Sequence, residues 1–311
     1  MRHTVITHIG VSALSCTALR GVQSQNYDTI LDELASRTER PDALVIAKRD
    51  LLRGLGRQWN RNLKPQQQRT ASPAEIAALS LLKTEKQPNG EPPLPINRLV
   101  LVTSDTRSGE FCADLLEHAF RDFDADIQPN PAYPHIHDVH RANIKGLAIT
   151  DERVSDREST RHEFVRTGLS NYVRAVFAEY NSLSSVDTLT LNITSGFKGL
   201  VPTARDLVLL LGSRNDGPHV RMVYLYQSSS ELVWYNSLPM EFDWNDISAE
   251  KLMQAGEVDG TSDGLIDSRH AYLFEHKEAK RLKRSAIGEV IWTLYTLLYP
   301  GNVNVPHADF S

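Results

Sequence analysis

Cysteine is nearly absent from this chain of 311 residues: Cys16 and Cys112 are the only two. They form neither a metal-ligand spacing nor a disulfide framework, so an intracellular, cytoplasmic setting is expected. An excess of positive charge is missing too. Lys and Arg total 34 against 39 Asp and Glu, which argues against a wide basic surface for long nucleic acids and leaves room for a small anion gripped by a few residues. The opening "MRHTVITHIGVSAL" lacks a signal-peptide layout, and its brief apolar stretch reads as a first strand. No apolar run is long enough to cross a bilayer. The longest, "AIGEVIWTLYTLLY" at 286–299, is interrupted by Gly288 and Glu289, and no membrane partner is expected. Its positions Ile287, Val290, Ile291, Leu294, Leu297 and Leu298 fall at helical spacing, which predicts a packing helix.

Strand-like apolar runs stand at 4–10, 98–104, 188–194 and 220–226. Helical patterns separate them: Tyr27, Ile30, Leu31 and Leu34; Phe111, Leu115 and Ala119; Leu200, Ala204, Leu207, Val208 and Leu211. This alternation predicts an α/β fold, a Rossmann-like and mostly parallel sheet with helices on both faces. Two segments break the rhythm, at about 40–96 and 141–183. The first carries a helical stretch near 43–60. It also carries "SPAEIAALSLLKTE", where Ser72, Pro73 and Glu75 have capping-box spacing at the start of a short helix. The second insertion contains Gly168 and the helical pattern of Tyr172, Val176 and Phe177. Composition changes at about 246, so the division expected is a domain at 1–245 bearing both insertions and a small, mainly helical appendage at 246–311.

In open parallel sheets ligands bind beyond the carboxyl ends of the strands. Four turns lie there: Gly10-Val11-Ser12; Thr103-Ser104-Asp105-Thr106; Thr194-Ser195-Gly196-Phe197-Lys198; and Gln227 to Ser230. All are rich in small or hydroxyl-bearing residues, and Lys198 is the only cation among them. Taken singly, Ser12 reads as a helix cap, and so do Ser104 and Asp105. Lys198 is different, because a lysine in the first turn of a helix opposes the macrodipole unless an anion is bound nearby. The turn matches neither of the two common phosphate loops, Gly-x-x-x-x-Gly-Lys-Ser/Thr or Gly-x-Gly-x-x-Gly. The acidic residues near these turns, chiefly Asp105, make no carboxylate cluster, so neither a metal nor a cofactor is expected.

Four separated stretches carry a family resemblance. "HIGVSAL" resembles the "GTSLL"-type first motif, and "NITSGFKG" the "N-x-T-G-G-F-K" motif, of the CRISPR-associated Rossmann-fold (CARF) domains, which sense cyclic oligoadenylates. "LVTSDTRSGEFCADLLEHAF" is similar to the family's "SDT-x-x-G-x-x-C/A" stretch, and "SPAEIAALSLL" to its inserted helix. "IKGLAITDERVSDRESTRHEFVRTGLSNYV" is a divergent form of a further stretch ending in Gly-Leu, and the resemblance runs over about residues 1–244. Val11 stands where a threonine is usual, and Ser195 replaces the first glycine of the Gly-Gly pair.

Stand-alone members of the family include the type III ring nucleases, and the resemblance implies their activity. Such a protein is a homodimer that binds cyclic oligoadenylate, tetra-adenylate rather than hexa-adenylate, in a cleft between subunits. It cuts the ring without metal, by attack of a ribose 2′-hydroxyl on the adjacent phosphate. The resemblance assigns catalysis to Lys198 and Ser12, and ligand contacts to Gly10, Val11, Ser104, Asp105, Thr106, Thr194, Ser195, Gly196 and Phe197. The competing reading is a non-cleaving sensor that acts through its C-terminal segment, as an effector or a transcription regulator. In that segment "HKEAKRLKR" at 276–284 offers basic charge, which reads more simply as a solvated helix face. An Arg-x4-6-His nuclease pair is met at Arg157–His162 and Arg269–His276, but chance supplies such pairs in a chain with 11 histidines.

Overall fold

The computed structural model describes residues 1–10, 73–88, 90–121, 134–147, 163–196, 198–226, 231–236, 258–259, 274–277 and 281–298. The helical patterns read at 27–34 and 43–60 lie outside these residues, as does the turn at 227–230. The chain divides into two compact units, one of Met1–Asn143 with Leu183–Leu238, the other of Ile144–Ser182 with Pro239–Ser311. Among the described residues no helix is long and apolar enough to cross a membrane.

The first unit is built on β1 (His3–His8), β2 (Arg98–Ser104), β3 (Asp138–Ile144), β4 (Thr188–Asn192), β5 (His219–Leu225) and β6 (Leu232–Asn236). They lie in the order β3-β2-β1-β4-β5-β6. β1 pairs parallel with β2 and β4, β4 pairs parallel with β5, and β6 closes that edge antiparallel. This is a mostly parallel, Rossmann-like sheet, and the order turns back on itself between β1 and β4. Every residue of β1 and β4 is buried, as strands covered on both faces require.

The described α-helices are α1 (Ala74–Thr84), α2 (Arg107–Arg121), α3 (Leu169–Asn181), α4 (Val201–Gly212) and α5 (Ala286–Leu298). On one face of the sheet Val5, Leu99, Leu101 and Val223 pack with Ile76, Leu79 and Leu82 of α1 and with Leu115, Leu116 and Phe120 of α2. The inserted "SPAEIAALSLLKTE" segment therefore supplies a core helix. α4 packs on β5 through a stripe that includes Ala204, Leu207, Val208 and Leu211. β3 was not legible as a strand, because in "DVHRANI" only Val139 and Ile144 are buried. It is an edge strand held by charge: Arg98 pairs with Asp138, and Arg141 with Asp114 and Glu117 of α2.

A polar seam runs inside the α1-covered face. Arg221 Nε donates to Thr190 Oγ1 at 3.0 Å, and its Nη1 donates to Gln87 Oε1 at 2.7 Å. Its guanidinium lies 4.6 Å from the centre of the Trp234 ring. His3 Nε2 is 2.8 Å from the same Thr190 hydroxyl. That hydroxyl has one proton and two acceptor sites, so it can take the Arg221 N–H and still pair with the imidazole in either direction. Burial, then the Arg221 charge, lower the His3 pKa to about 3. Burial alone lowers that of His8 to about 4, and it brings Arg221 down to about 10.

In the second unit a π-helical turn, Phe164–Gly168, runs directly into α3. Gly146 and Gly168 meet backbone to backbone there, with room for a Cβ on neither. α5 packs along α3, with Tyr172, Val173 and Val176 buried on one helix and Val290, Ile291 and Leu294 on the other. Thr293 Oγ1 donates to Ser170 Oγ at 3.1 Å. The packing helix expected from "AIGEVIWTLYTLLY" is α5. In the basic stretch the described residues, 276–277 and 281–284, lie in strands and not on a helix face. Phe274–Lys277 (β8) and Arg281–Arg284 (β9) pair antiparallel, and Val258–Asp259 (β7) adds to β9. Cross-strand pairing overrides the helix preference of Lys277, Arg281, Leu282, Lys283 and Arg284.

Two buried neutral histidines make stability depend on pH. Below about 6.5 the unfolded chain takes up protons that folded His3 and His8 refuse, so the stabilisation is complete above that pH and is lost as pH falls towards 4. Each site contributes up to about 1.4 kcal/mol per pH unit in that window. The melting temperature should decline already between pH 6.5 and 5, ahead of most carboxylates. A flat profile there would refute the account.

Candidate functional site

Because β1, β2, β4 and β5 run parallel, their carboxyl ends share one edge of the sheet. That edge brings together the turns at Gly10, at 104–106 and at 194–198, which lie far apart in sequence. The first and third also flank the switch point between β1 and β4. Val11, Ser12 and Phe197 lie outside the described residues.

The two switch-point turns touch backbone to backbone. A Cβ on Gly10 would stand 2.7 Å from Gly196 N, and one on Gly196 would stand 2.6 Å from His8 Cβ. Gly196 also has φ +88°, a conformation that L side chains rarely adopt. Both positions therefore exclude any residue larger than glycine.

Side chains then fasten the turns. Asn192 Nδ2 donates to Thr7 Oγ1 at 2.8 Å, and Asn192 Oδ1 accepts from Thr194 Oγ1 at 2.6 Å and from Thr194 N at 3.2 Å. Thr194 Oγ1 accepts in turn from Leu225 N at 3.0 Å. The hydroxyl of Thr194 thus ties β4 to β5. Ser195 Oγ lies 2.8 Å from the His8 carbonyl oxygen and 2.5 Å from Glu75 Oε1. The same carboxylate oxygen accepts the N–H of Gly10 at 3.0 Å.

After β2 the work of capping falls to Thr106, whose Oγ1 accepts from Gly109 N at 3.1 Å, three residues on. Ser104 Oγ is 2.9 Å from that Thr106 hydroxyl, and Asp105 is exposed. The cap foreseen at Ser104 or Asp105 is therefore displaced by one or two residues. Lys198 is exposed and begins a short 3-10 turn, Lys198–Leu200, that leads into α4 with Pro202 in its first turn. It makes no ion pair among the described residues.

Glu75 is the residue of this edge that sequence reasoning missed. Its spacing from Ser72 suggested a cap, whereas its Oε1 reaches two strand-end turns. The signal was in the helix: Glu75, Ala78, Leu79 and Leu82 fall at i, i+3, i+4 and i+7, which puts a carboxylate on the buried stripe. Beside it Cys112 is buried, and burial followed by the charge of Glu75 pushes its thiol up to about 12. That thiol is inert at neutral pH. Among the described residues no group of three or more His, Cys, Asp or Glu is placed to hold a metal ion.

Gly196→Ala should destabilise the fold by at least about 1–3 kcal/mol, the scale of left-handed backbone strain, with the contact against His8 added to it. Gly90→Ala isolates the strain, since Gly90 has φ +83° and an added methyl would meet nothing within 4 Å. Urea midpoints of the two variants that coincided would show that the contact between the turns contributes nothing.

No curated protein matches this chain. A family model described as CRISPR-associated protein (Cas_APE2256) matches residues 70–240. That span takes in α1, the sheet from β2 to β6 and the Lys198 turn, and the chain belongs to this family of CRISPR-associated proteins.

Proposed function

We propose that this protein is a ring nuclease: it binds cyclic oligoadenylate, with the tetra-adenylate ring preferred, in a cleft between two copies of the chain and cleaves it, ending type III antiviral signalling. The observation that carries the reading is the convergence of the Gly10 turn and the Lys198 turn at the switch point of the sheet. Membership of a CRISPR-associated family supports the ligand class. A twofold ring suits a twofold dimer, because each subunit offers the same patch to half of the ligand.

Cleavage is an internal transfer. The ribose 2′-oxygen bonds to the adjacent phosphorus, the bond to the 5′-oxygen breaks, the 2′ proton is lost to solvent and the leaving 5′-oxygen gains one. The products are short linear oligoadenylates with a 2′,3′-cyclic phosphate at one end and a 5′-hydroxyl at the other. Nucleophile and phosphate already share one nucleotide, so holding them in line supplies much of the acceleration. Lys198 stabilises the charge that builds on the phosphorane-like transition state, with backbone N–H groups around Gly196 and Phe197 assisting. Ser12 holds the ribose or the scissile phosphate. Gly10, Val11, Ser104, Asp105, Thr106, Thr194 and Ser195 shape the bed; Thr194 and Ser195 do so through the turn they fasten, since their hydroxyls already bond within the fold.

Lys198→Ala should slow single-turnover cleavage of labelled cyclic tetra-adenylate by roughly 100-fold or more, the scale of losing a well-placed oxyanion donor, with a smaller loss of binding. EDTA should leave the wild-type rate unchanged. A folded Lys198→Ala protein cutting at the wild-type rate would make the turn a binding element only and put the sensor reading first. Light scattering should give a dimer, since one copy brings a single Lys198 to a ring with equivalent phosphates on both sides; a monomer with and without ligand would overturn the shared cleft.

A further inference from the structure

We propose that Glu75 is a positioning residue for the Lys198 turn, which it holds to the Gly10 turn from beneath through a single carboxylate oxygen; this rests on the ring-nuclease reading only for its effect on cleavage. Glu75 is 0% exposed. An ionised side chain so placed is costly unless donors meet it, and here two do, from opposite sides of the switch point: the N–H of Gly10 and the hydroxyl of Ser195. Those donors are 65 and 120 positions away in sequence. The 2.5 Å approach of Ser195 Oγ to Glu75 Oε1 lies in the range of O–H···O⁻ bonds. The Ser195 hydroxyl has one proton, and the His8 carbonyl oxygen stands 2.8 Å from the same oxygen. The hydroxyl is thereby drawn back towards β1 and α1, and the chain at 195 is fixed three residues before Lys198.

This explains the departure at Ser195, where the related motif has glycine. A glycine has no hydroxyl to give to Glu75, and a serine without Glu75 would present its hydroxyl to the carbonyl alone. The pair acts as one unit: α1 brings the acceptor, and the turn brings the donor. Because the carboxylate takes the Gly10 N–H, that amide is withdrawn from anion binding, and the positive potential of the site falls to Lys198 and to the remaining turn amides.

The test compares Glu75→Ala and Glu75→Gln with wild type. A glutamine Oε1 still accepts both hydrogen bonds; an alanine accepts neither. Glu75→Ala should lower the single-turnover rate at saturating cyclic tetra-adenylate by about tenfold or more, as misplacement of a catalytic group by 1 Å can cost on the order of 100-fold. Its dissociation constant should change less, and Glu75→Gln should recover the rate to within about threefold of wild type. A glutamine variant as slow as the alanine variant, or an alanine variant at the wild-type rate, would overturn the proposal. If Glu75→Ala fails to fold, Ser195→Ala removes the same bond from the other end and should be slowed comparably; a wild-type rate there would be equally fatal. If the wild-type protein cuts no cyclic oligoadenylate, the ring-nuclease reading fails instead, and the clasp is judged on hydrogen exchange in the free protein. The Gly10 amide should be protected in wild type and in Glu75→Gln and exchange faster in Glu75→Ala; equal exchange in all three would sink it.

Discussion

At the carboxyl ends of β1 and β4 the chain passes within contact distance of itself without an intervening side chain, Gly10 against Gly196 and Gly196 against His8. The geometry of that edge follows from this contact. The turns can come so close only because neither carries a Cβ, and the gap on either side of them is then narrow enough for single hydrogen bonds to span. Ser195 and Glu75 supply those bonds, while Asn192 joins β4 to β1 through Thr7. A larger residue at either glycine would part the turns by more than a hydrogen bond tolerates, and the bonds of Ser195 and Glu75 across them would be lost together.

The α1-covered face of the sheet carries two polar clusters: the Thr7–Asn192–Thr194 links at the carboxyl edge, and the His3–Thr190–Arg221–Gln87 group towards the amino ends of the strands. Each hydroxyl in these clusters has a hydrogen-bond partner. Burial of such groups is costly when they are left unpaired and specifying when they are paired. An apolar seam could tolerate a shifted register between β1 and β4; this one cannot, because a slip by one residue would turn Thr7 and Asn192 to opposite faces.

How far the sequence foretold this follows from what each segment buries. The strands β1, β2, β4 and β5 were legible because they are buried and apolar, and the helices α1, α2, α4 and α5 because their apolar spacing matches the face they bury. β3 and the β8–β9 pair were not, since strands rich in charge carry no periodic signal and are held by partners that only the fold brings near, such as Arg98 to Asp138. At the site, the glycines and Lys198 stood out by residue type and place. Glu75 did not, because a local reading of Ser72 to Glu75 was available, whereas its partners Gly10 and Ser195 come from distant strands. Thr106 as the cap of α2 was hidden behind two adjacent residues, Ser104 and Asp105, that cap at least as well.

β1 occupies the middle of its sheet although it is made first. One of its neighbours begins at Arg98, and the other only at Thr188; the Thr7–Asn192 link spans 185 positions. Pairing over such separations is slow, because the intervening chain must be ordered before any of it is repaid. During synthesis, then, β1 can gain β2 on one side while its other edge stays open until residues 188–192 have left the ribosome. For that interval the chain presents an unpaired edge of Thr, Val and Ile residues, the kind of strand that joins wrong partners. The placement of a polar histidine at each end of "HTVITH" interrupts the apolar run in the period before its final neighbour exists.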